Sequence, residues 1–101
     1  MQNLTKADFL PKVLEATKPV FLYFSAPWCI PCRTSAPILE RIEAQYPGVE
    51  FFKVNVDEEG TLAEDCSVRS LPTFMVFKNG ENTGTLVGMA PEAKLQGLLR
   101  D

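Results

Sequence analysis

Histidine is absent from this 101-residue chain, and cysteine occurs only three times. Without histidine the chain can use neither Ser-His-Asp nor Cys-His catalysis, and a histidine-bearing zinc site is excluded. Three cysteines are too few for the disulfide framework that holds many small secreted domains together. Phosphate-binding loops, dinucleotide-binding glycine patterns, repeats and low-complexity segments are also missing from the sequence. The cysteines themselves are therefore the residues to examine for chemistry.

Positive charge is also in short supply, since the net charge is −3 and the pI is about 4.9. This balance predicts no nucleic-acid partner and no patch for an anionic membrane. No stretch of the sequence approaches the about 20 apolar residues of a membrane span. The first residues, Met1 to Lys6, contain no apolar signal core, so we expect a cytoplasmic, reducing location. An apolar content of 46% over this length predicts a single domain, residues 1–101, with one core.

The most informative feature present is the segment Trp28-Cys29-Ile30-Pro31-Cys32, which directly follows the apolar run Val20–Phe24. Two thiols three residues apart at the start of a helix lie on one face, close enough to form a disulfide. Unpaired N–H groups and the positive end of the helix dipole favour a thiolate at the first of them. Half a zinc site or two structural thiols are the competing interpretations, but zinc usually takes four ligands, and the chain has no histidine and no second cysteine pair. The motif therefore predicts a redox-active dithiol and no metal site.

Apolar periodicity and turn residues predict the element order α-β-α-β-α-β-β-α, with a further short strand at Gln2–Leu4. The predicted elements are a helix over Thr5–Thr17 capped by Asp8, a strand at Val20–Ser25, a helix from the cysteine pair to about Tyr46, a strand at Val49–Val56, a short helix at Glu58–Cys66, hairpin strands at Pro72–Lys78 and Thr83–Val87, and a last helix from Pro91. Asn79-Gly80 is a strong hairpin signal. Early alternation of strands and helices predicts parallel crossovers, and the hairpin adds antiparallel strands. We therefore expect an α/β fold with a central mixed β-sheet flanked by helices on both faces.

Five segments then stand in order along the chain: Phe24–Cys32, Ala36–Leu39, Val54–Asp57, Val68–Phe74 and Phe77–Gly80, followed by Gly88. In this order and spacing the chain resembles the thioredoxin family over essentially its whole length. The resemblance implies the thioredoxin fold and a small, monomeric protein-disulfide reductase with no bound cofactor. It also implies disulfide-containing target proteins as substrates and re-reduction by an NADPH-dependent thioredoxin reductase.

The same resemblance implies a role for each residue of the site. Cys29 is expected to be the attacking thiol and Cys32 the resolving thiol. Leu71-Pro72 is expected to form a cis peptide bond facing the disulfide, where the backbone of Leu71 pairs with an extended segment of the substrate. An apolar rim around the sulfur is expected from Trp28, Ile30, Pro31, Pro72 and Gly88.

Two positions depart from the family pattern. Ile30 stands where glycine is usual between the cysteines, so we expect altered partner choice and a shifted reduction potential of undetermined sign. Tyr23 stands where a buried aspartate is usual, and a phenol is neutral at pH 7 and donates more readily than it accepts a proton. Our hypothesis is that Tyr23 hydrogen-bonds in the core and that Cys32 loses its proton to water or another group. Lys53, which lies beside that aspartate in some members, is expected to tune the site together with Tyr23.

Three alternatives remain open at this point. A glutaredoxin-like or tryparedoxin-like carrier would take electrons from a low-molecular-weight thiol. An oxidase or isomerase of protein folding would typically have histidine within the pair, and a non-catalytic binding module would keep the fold without turnover. The third cysteine, Cys66, is expected to be a buried small hydrophobe, with a regulatory or dimer-forming thiol as the alternative.

Overall fold

The structure is a computed structural model that describes residues 1–100 of the chain. Its elements are β1 (Gln2–Asn3), α1 (Lys6–Phe9), which continues as a π-helical turn over Leu10–Leu14, β2 (Val20–Ser25), α2 (Ile30–Gln45), β3 (Glu50–Asn55), α3 (Gly60–Asp65), β4 (Thr73–Lys78), β5 (Glu81–Val87) and α4 (Glu92–Arg100). This order agrees with the order predicted from the sequence, including the short first strand. Within residues 1–100, no helix is both long enough and apolar enough to cross a bilayer.

The five strands form one mixed sheet in the order β1-β3-β2-β4-β5. Strands β1 and β2 run parallel to β3, whereas β4 runs antiparallel to both β2 and β5. The expected combination of parallel crossovers and a terminal antiparallel hairpin is therefore confirmed. At the hairpin turn, Asn79 and Gly80 both have positive φ, 53° and 80°, as a tight two-residue turn requires.

The central strand β2 is buried along all six residues, because helices cover both faces of the sheet. Side chains alternate along β2, so Leu22 and Phe24 belong to one core cluster while Phe21 and Tyr23 belong to the other. The first cluster is completed by residues of α1 with its π turn and of α3, namely Phe9, Val13 and Leu62. The second is completed by residues of α2 and α4, namely Leu39, Ile42 and Leu95. This two-sided burial confirms the α/β interpretation.

The first helix differs from its prediction at both ends. Its N-cap is Thr5 and not Asp8: the Thr5 hydroxyl accepts the Asp8 N–H at 3.3 Å, and the Asp8 carboxylate accepts the Thr5 N–H at 3.3 Å. This reciprocal capping box places Asp8 one turn inside the helix. The helix ends at Leu14 because the Glu15 N–H donates to the Leu10 carbonyl in a π turn, which closes the hydrogen-bond ladder. The prediction that the helix extends to Thr17 was therefore wrong.

The short helix α3 begins two positions later than predicted, at Gly60. The Asn55 side-chain oxygen accepts the N–H groups of Asp57 and Glu58, at 2.9 and 3.4 Å, and the Asn55 carbonyl accepts those of Glu58 and Glu59. These bonds hold the chain in a turn after β3, because the asparagine competes with the helix for its first donors. Glu58 therefore lies in the turn that leaves the end of β3.

Candidate active site

The two cysteines of the motif lie where β2 gives way to α2. Cys29 is the N-cap of α2, and its Sγ accepts the Cys32 N–H at 3.2 Å. The two residues form a disulfide with their Cα atoms 5.3 Å apart. Cys29 is 4% exposed and Cys32 is 2% exposed, so the pair sits below the surface at the positive end of the helix dipole. The dithiol predicted from the sequence is therefore present at the predicted place.

Exposed apolar side chains flank the buried disulfide. Trp28 is 63% exposed and Ile30 is 67% exposed, and Pro31 is exposed beside them. The Trp28 indole N–H donates to both carboxylate oxygens of Asp57, at 3.0 and 3.2 Å, which fixes the ring over the turn after β3. Sequence reasoning missed this contact, for which the sequence offers no spacing signal.

The Leu71-Pro72 peptide bond is cis, as the resemblance implied. Strand β4 begins immediately after it, and Thr73 pairs with Phe24 near the end of β2, so the bond lies at the same end of the sheet as the cysteines. Leu71 packs against the core cluster that contains Cys29 and Cys32. Sequence-distant residues are thus brought to one place by the antiparallel pairing of β4 with β2.

Gly88 joins the site through a hydrogen bond from its N–H to the Pro72 carbonyl, at 2.7 Å. Its φ is +87°, a conformation that strains any other residue, and the position of a Cβ there is open space. Its neighbours Val87 and Met89 are 64% and 56% exposed, and they extend the apolar surface. The sequence analysis missed both, although their places on either side of Gly88 could have indicated them.

Tyr23 forms the core hydrogen bond that the hypothesis expected. Its hydroxyl donates to the Cys32 carbonyl oxygen, and its ring stacks on Phe74 with centroids 5.6 Å apart. Burial raises the pKa of the Tyr23 phenol above its usual value near 10, and a hydrogen bond with Ser25 lowers it in part. Tyr23 is therefore a neutral donor at physiological pH and holds the first turn of α2 against the sheet.

A cavity of about 390 Å³ lies beside Cys32, which is one of its lining residues. Lys53 pairs with Tyr23 in the register of β2 and β3, so the two residues share one face of the sheet. The polar and titratable residues that line the cavity are Asn3, Tyr23, Ser25, Cys32, Arg33, Lys53, Asn55 and Glu58. The structure thus brings both predicted tuning residues, Tyr23 and Lys53, beside Cys32. Sequence reasoning placed Glu58 at the start of the short helix and missed its position at this cavity.

Arg33 follows Cys32 directly, and sequence reasoning did not single it out. Its guanidinium donates from Nε and Nη2 to the carbonyl oxygen of Pro27, with a distance of 3.1 Å from Nε. Arg33 therefore ties the loop before Cys29 to the first turn of α2. These hydrogen bonds hold the loop that leads to Cys29 against the helix turn that contains Cys32.

Cys66 lies away from the disulfide, on the other face of the sheet. It is half-buried and packs against the cluster formed with α1 and α3. Burial raises the pKa of its thiol, and the neighbouring Asp65 carboxylate raises it further. Its position agrees with the expected small hydrophobe, although the side chain is only partly covered.

The arrangement supports exchange between a dithiol and a disulfide. Two cysteines can alternate between a disulfide and two thiols, and the capped helix N-terminus favours a thiolate at Cys29. Among residues 1–100, no group of three or more Cys, Asp or Glu residues is arranged to hold a metal ion.

Comparisons with known proteins agree with this chemistry. The family model described as Thioredoxin matches residues 1–101. The chain is 43% identical over 97 residues to Thioredoxin 1 of Synechococcus elongatus, covering 95% of this chain and 91% of that protein. It is 36% identical over 100 residues to the thioredoxin of Porphyra purpurea, covering 98% and 94%. Among solved structures, mitochondrial thioredoxin 3 from Saccharomyces cerevisiae in its oxidized form superposes with a TM-score of 0.90 at 31% identity, covering 100% of this chain and 95% of the other.

Proposed function

Because the chain belongs to the thioredoxin family, we propose that Cys29 attacks the disulfide of a target protein and that Cys32 resolves the resulting mixed disulfide. The overall activity is that of a thiol-disulfide oxidoreductase that reduces protein disulfides. The observation that carries the assignment of roles is the position of Cys29. It is the N-cap of α2 and its chain neighbours Trp28 and Ile30 are exposed, whereas Cys32 lies within the first turn of the helix.

The reaction has two exchange steps. The Cys29 thiolate attacks one target sulfur, the target disulfide breaks, and a mixed disulfide to Cys29 forms. The Cys32 thiolate then attacks Cys29, so the Cys29–Cys32 disulfide forms and the second target thiolate leaves. The target gains two electrons and the protein loses two. The second step is intramolecular, and its speed comes from the proximity of the two sulfurs.

The substrate surface proposed for this chemistry consists of the rim residues and the backbone of Leu71. Trp28, Ile30 and Pro31 are exposed next to the cysteines in the chain, whereas Pro72 is buried and its carbonyl accepts the Gly88 N–H. An extended target segment would add main-chain hydrogen bonds at Leu71 in the manner of an added strand. The rim is apolar and open, which suits many partners at low affinity. The open space at Gly88 supports the approach of a second backbone there.

The electron donor proposed is an NADPH-dependent thioredoxin reductase, with the Cys29–Cys32 pair carrying the electrons and no bound cofactor. Reduction of insulin disulfides, with either NADPH plus thioredoxin reductase or glutathione as the electron source, tests this assignment. Turnover is expected with the reductase system. Turnover with glutathione alone would favour the glutaredoxin-like or tryparedoxin-like carrier, and no turnover from either would favour the binding module.

The oligomeric state and location are also proposals. A monomer is expected, because one chain contains both cysteines and the whole rim, and sedimentation at micromolar concentration tests it. A cytoplasmic location is expected from the sequence, although one relative is named thioredoxin M4, chloroplastic, of Arabidopsis thaliana. Fractionation of cells followed by immunodetection of the chain distinguishes the two locations.

A further inference from the structure

In the resolving step, a buried cysteine thiol must lose its proton. Cys32 is 2% exposed, and it must lose its thiol proton before it can attack Cys29. The Tyr23 hydroxyl donates its proton to the Cys32 carbonyl oxygen, and burial keeps the phenol neutral. A neutral phenol of this kind cannot take the proton at physiological pH. A group other than Tyr23 must therefore accept the thiol proton of Cys32.

The cavity beside Cys32 offers a path for this proton through water. Its volume of about 390 Å³ has room for several water molecules, since one needs only about 10–15 Å³ of such space. It is lined by β2 through Tyr23, by α2 through Cys32 and Arg33, by β3 through Lys53, and by the following turn through Glu58. These five are the titratable groups that face it from every element around it.

Only one of these groups can accept a proton. The Arg33 guanidinium has donors and no acceptor, and it is bonded to the Pro27 carbonyl. The Lys53 ammonium likewise has three donors and no acceptor. Glu58 has a carboxylate, and it is exposed to solvent as well as to the cavity, so it lies where the cavity opens. Neither Lys53 nor Glu58 forms an ion pair with another of the residues the structure describes, which leaves both available to the cavity.

We propose that Glu58 receives the proton of Cys32 through water in this cavity, while the positive charge of Lys53 stabilises the Cys32 thiolate. The Glu58 carboxylate, on the turn after β3, is thus the base in this chain, because Tyr23 cannot accept the proton. The turn is held by the Asn55 side chain, which accepts the Glu58 N–H at 3.4 Å and fixes the start of the glutamate side chain. Lys53 reaches the same space from the strand position opposite Tyr23.

The proposed step balances as follows. The Cys32 thiol gives its proton to Glu58 through water, which leaves a Cys32 thiolate and a neutral Glu58 carboxyl group. The thiolate forms a bond to Cys29 sulfur, and the bond between Cys29 and the target sulfur breaks with its electron pair leaving on the target. Glu58 then returns its proton to bulk water at the cavity opening, and the target thiolate takes one up. No further oxidant or reductant is needed.

The test isolates the resolving step with the chromogenic disulfide reagent DTNB. Reduced protein, in a Cys66→Ser background, releases one thionitrobenzoate when Cys29 attacks and a second when Cys32 attacks the mixed disulfide. The second release has a rate that does not depend on the DTNB concentration. It is measured by stopped flow between pH 5 and 9 in wild type, Glu58→Gln, Glu58→Asp and Lys53→Gln. Glu64→Gln is the matched control, because it removes the same charge from an exposed site that does not line this cavity.

Glu58→Gln should slow the second release about 10-fold at pH 7, less than the 10²–10⁴-fold typical of a directly bonded base, because the carboxylate acts through water. The remaining rate should depend more steeply on pH than in wild type, because the thiol must then lose its proton to bulk water. Glu58→Asp should restore part of the rate at pH 7. Lys53→Gln should move the whole profile to higher pH, since the thiolate loses a nearby positive charge. Glu64→Gln should keep the wild-type rate and profile.

Two results would overturn the inference, and they are distinguishable. If Glu58→Gln keeps the wild-type rate and pH profile, as Glu64→Gln is expected to do, the proton leaves by another route. The inference rests on the assignment of Cys32 as the resolving thiol. A wild-type protein that shows no second release would therefore overturn that assignment and this inference together, whereas a normal second release in every variant would overturn the inference alone.

Discussion

Replacing Tyr23 by phenylalanine separates the structural role of the phenol from any role in proton transfer. The hydroxyl donates to the Cys32 carbonyl in the core, and the stacking of the ring on Phe74 needs no hydroxyl. Losing one buried neutral hydrogen bond costs about 1 kcal/mol of unfolding free energy. For a domain of this size that loss lowers Tm by about 4–8 °C. Urea unfolding of oxidised protein at pH 7 measures the loss, and stopped-flow DTNB measures the resolving step.

We expect Tyr23→Phe to be less stable than wild type but to resolve mixed disulfides at the wild-type rate. The two proteins should also differ in how their stability changes with pH. Because burial raises the pKa of Tyr23 in the folded state, its contribution to stability is complete below the unfolded-state pKa near 10. That contribution is lost as the pH rises from there through the higher folded-state pKa. Wild type should therefore lose more stability than Tyr23→Phe above pH 10.

Two results would refute this account of Tyr23. A Tyr23→Phe protein with unchanged stability would mean that the hydrogen bond to Cys32 contributes nothing. A resolving step slowed by an order of magnitude would mean that the phenol takes part in proton transfer. The complementary variant Tyr23→Asp places a carboxylate beneath Cys32 and should quicken the resolving step near neutral pH. An unchanged rate in that variant would also contradict the account.

Further predictions concern two glycines, the third cysteine and the contact of Trp28 with Asp57. Gly80→Ala should destabilise the protein by about 1–2 kcal/mol or more in urea unfolding, because φ is +80° and a Cβ would lie 2.7 Å from a main-chain oxygen. Gly97→Ala, in α4 with nothing within 4 Å, should instead stabilise it by about 0.5–1 kcal/mol, and equal effects of the two would contradict the geometry. Cys66 should react with iodoacetamide more slowly than a free thiol, since its pKa is raised, and peptide mapping that finds fast labelling would contradict its half-buried placement. Asp57→Ala should free the Trp28 indole and increase the KM for insulin, whereas a KM unchanged from wild type would show that the ring needs no anchor.

Most of the fold could be predicted from local pattern. The buried strand β2, the hairpin at Asn79-Gly80 and the long helix α2 all have strong periodic or turn signals, and the structure confirms each. The errors lie at helix ends. Asp8 was predicted as an N-cap because its residue type suits one, but Thr5 occupies that position and Asp8 completes the capping box. The first helix ends at Leu14 because of a π turn, and no residue preference in the sequence predicts that turn.

The candidate site was predictable where residues are adjacent in sequence and less so where the fold brings them together. Cys29 and Cys32 follow from spacing alone, and the place of Leu71-Pro72 followed from the resemblance to a family. The contact of Trp28 with Asp57 and the position of Glu58 at the cavity depend on how the turn after β3 packs against α2. Such contacts join distant parts of the chain through tertiary structure, and one sequence contains no local signal for them.

The central claim is that Cys29 attacks and Cys32 resolves, and trapping tests it most directly. Cys32→Ser and Cys29→Ser, both in a Cys66→Ser background, are reduced and mixed with oxidised insulin at pH 7. Mass spectrometry then identifies the covalent adducts after quenching with acid. We predict that Cys32→Ser accumulates a stable mixed disulfide through Cys29, while Cys29→Ser forms little because Cys32 lies within α2 and not at its N-cap, where a thiolate is favoured. A stable adduct formed mainly through Cys32 in Cys29→Ser would contradict it.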